Sequence, residues 1–132
     1  MSYIRRHLLN NDTGYGEHAF GSNEFPGKDY RGRGLLHLTH AENYRLCALA
    51  TGLNIYANPE LVESDMPSIV LSGFWFWKSN KLGTIADSSV SNLDKVKKIT
   101  KIINPGLKGL EERFDFTAEA RALHVRLFGE CN

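Results

Sequence analysis

Between Met66 and Trp77 the apolar residues fall at 66, 69, 70, 73, 74 and 77, the spacing of one face of an α-helix. Leu71, Trp75 and Phe76 add apolar area on the other sides. A helix apolar nearly all round reads as a buried central helix, with Asp65 as its N-cap. Leu93, Val96, Thr100 and Ile103 mark a second helical face, opened by a capping box of Ser91 and Asp94. Pro105-Gly106 breaks the chain after Asn104. A last helix is predicted from about Leu107 to Phe128, with Leu110, Phe114, Ala118, Ala120, Leu123 and Leu127 facing inward and Gly129 as the stop.

Upstream the pattern is shorter and more broken. Residues 2–10 read as a short helix carrying Ile4, Leu8 and Leu9. Residues 11–29, with Gly14, Gly16, Gly21, Pro26 and Gly27, read as a loop. Asn58-Pro59 opens a short helical turn, Asn as N-cap and Pro in the first turn. Lys81–Val90 reads as a connector. With four or five helices and one short strand segment at most, the class is all-α, a single domain over residues 1–132 with its core over 30–128.

The stretch Tyr30–Tyr44, Y-R-G-R-G-L-L-H-L-T-H-A-E-N-Y, combines three signals. Gly32 and Gly34 permit a sharp turn or a close backbone approach. Leu35, Leu36 and Leu38, interrupted by His37, fit one extended strand. Thr39 with Glu42 fits a capping box, so a helix is predicted to start there and run to about Thr51, with Gly52 as its stop. A Gly-rich turn, a short strand and a capped helix would set Tyr30, Arg31, His37, Thr39 and Asn43 beside a cleft.

Charge narrows the partners. Lys plus Arg number 16 and Asp plus Glu 15, a net charge of +1. That gives no general attraction to nucleic acid or to an anionic membrane. Lysines 95, 97, 98 and 101 read as a solvated helix face. No stretch approaches the ~18 apolar residues of a membrane span, and Met1–Asn10 lacks the apolar run of a secretory signal. The expected location is cytoplasmic at synthesis, with any action on a cell wall depending on release by another system. Cys47 and Cys131 read as free thiols of a reducing compartment, a disulfide between them being the alternative.

Several chemistries lack their residues. There is no G-x-S-x-G, and R-G-R-G lacks the G-K-[ST] ending of a phosphate-binding loop. The five histidines have no metal-ligand spacing, so no metal and no cofactor is expected. Carboxylate chemistry remains: glycoside hydrolysis needs one carboxylic acid and one carboxylate across a cleft. Glu17 and Glu24 lie in the loop before the central stretch, and Glu42 is assigned to capping.

Residues 30–44 resemble the signature Y-[RKYF]-G-R-G-[LP]-I-Q-[LI]-[ST]-x-x-x-N-Y of family 19 glycoside hydrolases, which include chitinases and phage-type endolysins. A-N-P-E-L-V at 57–62, G-F-W-F-W at 73–77 and I-I-N-P-G-L-K-G-L-E-E-R at 102–113 resemble further stretches of that family, in the same order. The resemblance implies an all-α, lysozyme-like fold with a glycan cleft. It also implies inverting hydrolysis of β-1,4 links in chitin or peptidoglycan. Thr39 matches the Ser or Thr that holds the attacking water. Asn43 matches a sugar-binding Asn, Asn104 an Asn lining the cleft, and Arg113 a basic residue near the acid; Tyr30 and His37 join them as candidate substrate contacts.

The departures from that pattern bear on activity. His37 stands where the family usually has Gln, and Pro105 replaces the first Gly of I-N-G-G. The family's H-E-[ST]-x-G motif, which carries its catalytic acid, does not occur before Tyr30. The expectation is an N-terminally shortened member, with Glu17 or Glu24 as the substitute candidates for the catalytic carboxylates. Three functions follow: an active glycan hydrolase, a non-catalytic glycan-binding relative, or an interaction protein. An apolar face left open by a missing helix would favour self-association as a homo-oligomer.

Overall fold

A computed structural model of the chain describes residues 20–130. The expected helix at residues 2–10, the first part of the loop, Glu17 and Cys131 lie outside them. From Ala41 onward the chain forms α1 (Ala41–Thr51), α2 (Leu61–Ser64), α3 (Met66–Ser79), α4 (Leu82–Ala86), α5 (Asn92–Ile103) and α6 (Leu110–Phe128). Among the described residues the only β-pairing is an isolated antiparallel bridge between Arg33 and Leu38. The protein is all-α and lysozyme-like, as its sequence pattern and resemblance imply. No described helix is long and apolar enough to cross a membrane.

The residues divide into two compact units, 20–79 and 80–130. In the first, α1 and α2 both pack against α3. Its core is Tyr30, Leu38, Tyr44, Cys47, Ile55 and Val62, with Phe20, Leu53, Tyr56 and Trp75 packed around them. Burial of side chains this size contributes about 1.5–3 kcal/mol each, the main force holding the unit. Cys47 is a buried free thiol, pushed up to about 11 by that burial. In the second unit α5 packs against both α4 and α6.

Local signals explain most helix ends. At the end of α1, Gly52 takes the left-handed conformation (φ 76°) and its N–H donates to Ala48 O at 2.9 Å. Asp65 caps α3: its carboxylate accepts from Ser68 N at 3.0 Å and from Ser68 Oγ at 2.6 Å. Those two bonds hold the Asp65 carboxyl below the usual carboxylate range. Ser91 caps α5, accepting from Asp94 N at 3.2 Å and donating to Asp94 Oδ2 at 2.6 Å. Asn104 ends α5 in an extended conformation, as Pro105 requires of the residue before it.

Six expectations need correction. Leu35, Leu36 and Leu38 do not form a strand: among the described residues no second strand pairs with them, and residues 34–37 make a tight loop closed by the Arg33–Leu38 bridge. Thr39 and Glu42 form no capping box. The N-cap of α1 is His40, without a side-chain cap, and the Glu42 carboxylate is taken by Arg45 at 2.7 and 2.8 Å. Asn58 does not cap α2, which starts at Leu61, because its amide turns back toward Asn54 O. Helix α3 is not buried all round. It buries Ser68, Ser72 and Gly73 and leaves Met66, Leu71, Phe74 and Trp77 exposed, because its closest neighbours meet it at small residues. In α6 the expected inward face is only partly covered: Leu110 and Phe114 are half-buried, Ala118, Ala120, Leu123 and Leu127 are exposed, and no residue of that helix is fully buried. The connector after Lys81 also holds a short helix, α4, that the pattern did not predict.

Candidate functional site

The loop from Tyr30 to His40 is built around two residues that point inward. Tyr30 is fully buried, and its hydroxyl donates to Tyr56 O at 2.7 Å. Its main chain is held as well, the N–H donating to Phe20 O at 2.9 Å and the carbonyl accepting from His40 N at 2.8 Å. The ring meets Tyr44 edge-on at 5.2 Å between centroids. Burial, the leading cause, together with Tyr56 and Glu24, pushes the Tyr30 phenol up to about 12. Tyr30 was a candidate substrate contact; with its hydroxyl committed to a main-chain carbonyl, its visible role is to anchor the loop.

Arg33 is the second inward residue, 7% exposed. Its Nη1 donates to Asp29 O at 2.7 Å, Arg31 O at 3.3 Å and Tyr44 Oη at 3.4 Å. Its Nη2 lies 3.9 Å from Asp29 Oδ2. Its Nε lies 3.2 Å from Glu63 Oε1, an ion pair by distance whose N–H is not aligned for a hydrogen bond. Burial opposes the charge on Arg33, and the contacts with Tyr44 and Glu63 outweigh that and hold its pKa above the ordinary arginine value. Tyr44 Oη in turn donates to Arg31 O at 2.9 Å. Glu63, on α2, and Asp29 thus clamp the loop to the rest of the unit. The sequence reading did not single out Arg33. The one signal was an arginine between two glycines in an apolar stretch.

The loop turns at Gly34 (φ 76°) and His37 (φ 58°). At Gly34 a Cβ would lie 2.9 Å from Val62 Cγ1 and 3.3 Å from Ser72 Oγ, so glycine is needed for both the angle and the close approach to α2 and α3. The outward residues follow. His37 is exposed, Thr39 and Asn43 half-buried. Thr39 Oγ1 donates to His37 O at 2.6 Å, and Asn43 Nδ2 donates to Thr39 O at 2.8 Å. These bonds consume donors and leave Thr39 Oγ1 and Asn43 Oδ1 as acceptors.

The other candidates stand apart from this chain of bonds. Glu24 is exposed, its main-chain N–H donating to Ser22 Oγ at 3.2 Å. Glu17 lies outside the described residues. Asn104 and Arg113 belong to the second unit, on either side of the α5–α6 turn. Asn104 Oδ1 accepts from Gly106 N at 3.3 Å, and Arg113 Nη1 donates to Lys108 O at 2.6 Å. Trp75 packs on the core, whereas Trp77 lines an apolar depression of about 270 Å³ with Leu35, Leu36, Val70, Gly73 and Phe74. Among the described residues no three His, Cys, Asp or Glu side chains are grouped to hold a metal ion.

Comparison with known proteins bears on this arrangement. The family model described as "Chitinase class I", of glycoside hydrolase family 19, matches residues 2–121. A glycosyl hydrolase family 19 domain-containing protein of Haemophilus influenzae is 33% identical over 110 residues, 83% of this chain and 48% of that protein. Endochitinase 4 of Solanum tuberosum is 33% identical over 97 residues, covering 63% of this chain and 32% of the relative. The endochitinase of Pisum sativum is 31% identical over 121 residues, 79% of this chain and 38% of the relative. The chain therefore spans half or less of the length of these curated relatives. No solved structure gives a significant match.

Proposed function

The chain belongs to glycoside hydrolase family 19, and from that premise we propose that it binds β-1,4-linked amino-sugar polymers, chitin or peptidoglycan, without cleaving them itself. The observation that carries the reading is the hydrogen-bonded line from His37 through Thr39 to Asn43. Its free acceptors, Thr39 Oγ1 and Asn43 Oδ1, suit the hydroxyl and acetamide N–H donors of an amino sugar. An acid catalyst needs a carboxyl set in partly apolar surroundings. The glutamates described near this line do not have them. Glu24 is exposed, Glu42 is bound to Arg45, and Glu60 and Glu63 pair with Lys28 and Arg33.

Inverting hydrolysis with Glu17 or Glu24 as the acid is the second reading, favoured by relatives that are themselves named endochitinases. One experiment separates the two. The 132-residue chain is titrated with N-acetylglucosamine oligomers and with peptidoglycan fragments, and release of reducing ends is measured in parallel. Binding without release is the expected result. Thr39→Ala and Asn43→Ala should each weaken binding about three- to tenfold, the range for one lost hydrogen bond. Release that disappears in Glu17→Gln or Glu24→Gln would replace the first reading with the second.

A further inference from the structure

Gly32 does not have the left-handed backbone seen at Gly34, so conformational freedom does not explain a glycine there. Space does. A Cβ at position 32 would lie 2.3 Å from His37 Nδ1, 2.4 Å from Cε1 and 2.8 Å from Cγ. No real contact is that short, so the imidazole occupies the volume that any side chain at 32 would fill. The three ring atoms closest to this seat leave Nε2 and Cδ2 as the farther edge of an exposed side chain.

The backbone of residue 37 is fastened too. It has φ 58°, a conformation that histidine enters more readily than most residues. Its N–H donates to Gly34 O at 3.4 Å, and its carbonyl accepts from Thr39 Oγ1 at 2.6 Å. Among the described residues no hydrogen bond or ion pair holds the ring itself. Its main chain is held at one end, and the ring lies against Gly32 at the other.

We infer that Gly32 and His37 are a positioning pair: the glycine seats the imidazole so that Nε2 is presented to a bound amino sugar on the same stretch as Thr39 and Asn43. This rests on the glycan-binding reading, in which His37 is already a candidate contact, and adds Gly32 as the residue that positions it. A polar group held in place before binding loses less freedom when the ligand arrives. His37 is then the ligand contact and Gly32 acts only through it. The ring is the movable end of an exposed side chain, so an alanine at 32 displaces the imidazole rather than the fold.

The test is a double-mutant cycle on the 132-residue chain, read as affinity for the N-acetylglucosamine hexamer by calorimetry. Gly32→Ala should weaken binding about tenfold in the wild-type background and no more than about twofold in the His37→Ala background. His37→Gln, whose amide nitrogen can reach a similar point, should keep most of the affinity that His37→Ala loses. Circular dichroism checks that each variant is folded. Equal losses from Gly32→Ala in both backgrounds, or none in either, would overturn the coupling. In the ligand-free protein, nuclear Overhauser contacts between the Gly32 α-protons and the His37 ring report the seat directly. Binding without those contacts overturns the seat alone. Contacts without any hexamer binding overturn the ligand role of His37 together with the glycan reading.

Discussion

The Tyr30–Tyr44 stretch, a loop and the first turn of α1, and helix α6 both carry apolar residues that suggest burial, yet they end up in opposite environments. In the first, Tyr30, Arg33 and Leu38 of the loop and Tyr44 of α1 are buried, and a charged guanidinium lies among them. In α6, Leu123, Leu127 and Phe128 are 46%, 60% and 76% exposed. Hydrophobicity does not explain the difference, since each holds three leucines, Leu35, Leu36 and Leu38 in the one and Leu110, Leu123 and Leu127 in the other. Partners do. The loop closes on itself through the Arg33–Leu38 bridge and is clamped from α2 by Glu63. Beyond its first turns α6 has few neighbours, the bond from Arg121 Nη1 to Asn92 Oδ1 on α5 being one of its few ties. Burial follows from what a segment is tied to.

The largest break in this contrast should come from Arg33. Replacing it with methionine keeps much of the volume but removes every donor. Asp29 O loses its bond, and Asp29 and Glu63 lose the more buried of the two cations they share, Arg31 remaining 3.4 Å from Asp29 and 3.9 Å from Glu63. Arg33→Met should cost about 1–3 kcal/mol, since the half-buried Asp29 O is left without its donor while the half-exposed Glu63 can turn to water. Urea denaturation reads this directly. An Arg33→Met protein as stable as wild type would mean that the clamp does not hold the loop.

A smaller effect is expected at Tyr30. Tyr30→Phe removes one buried hydrogen bond and leaves Tyr56 O without its donor, a loss of about 1–2 kcal/mol at neutral pH. It should also change alkaline behaviour. The fold favours the neutral phenol, whose pKa rises from 10.0 to about 12. That stabilisation is complete below pH 10 and is lost as pH rises through about 12. Wild-type stability should fall over this window and the Tyr30→Phe protein less steeply, with a residual slope from Tyr44, which burial also raises. Identical slopes from pH 9 to 12 would show that Tyr30 is not the group concerned.

How much of this was legible in sequence depended on how far apart the partners lie. Gly52, Asp65 and Ser91 were readable as helix signals because each acts on a group within four residues. Thr39 carried an equally good local signal and failed. The chain turns left-handed at His40 (φ 73°), the helix begins one residue later, and the Thr39 hydroxyl bonds His37 O instead. The apolar run at 35–38 failed as a strand for want of a second strand, which no local pattern can report. In the candidate site, the resemblance picked out His37, Thr39 and Asn43, and hydrogen bonds link these three. Arg33 was not legible because its burial depends on Asp29, Tyr44 and Glu63 being brought to it; Gly32 was legible as a place of turn or close approach, but not what approaches it, a ring five positions along.

The smallest effect should come from the far end of α6, where the sequence pattern and the structure disagree most. Leu127→Ser would be a severe change in a core, removing a large apolar side chain and adding a hydroxyl, at a cost of several kcal/mol. Leu127 is 60% exposed and α6 buries no residue, so there is little cavity to create. The serine hydroxyl would stay in water. The expected loss is below about 0.5 kcal/mol, as for other surface substitutions. The matching change in the loop, Leu38→Ser, supplies the scale, since Leu38 is only 2% exposed. If Leu127→Ser lowered the melting temperature as far as Leu38→Ser does, the helix would be covered in solution by something that buries this face. The contrast between the two regions would then be one of partners still to be met rather than of exposure.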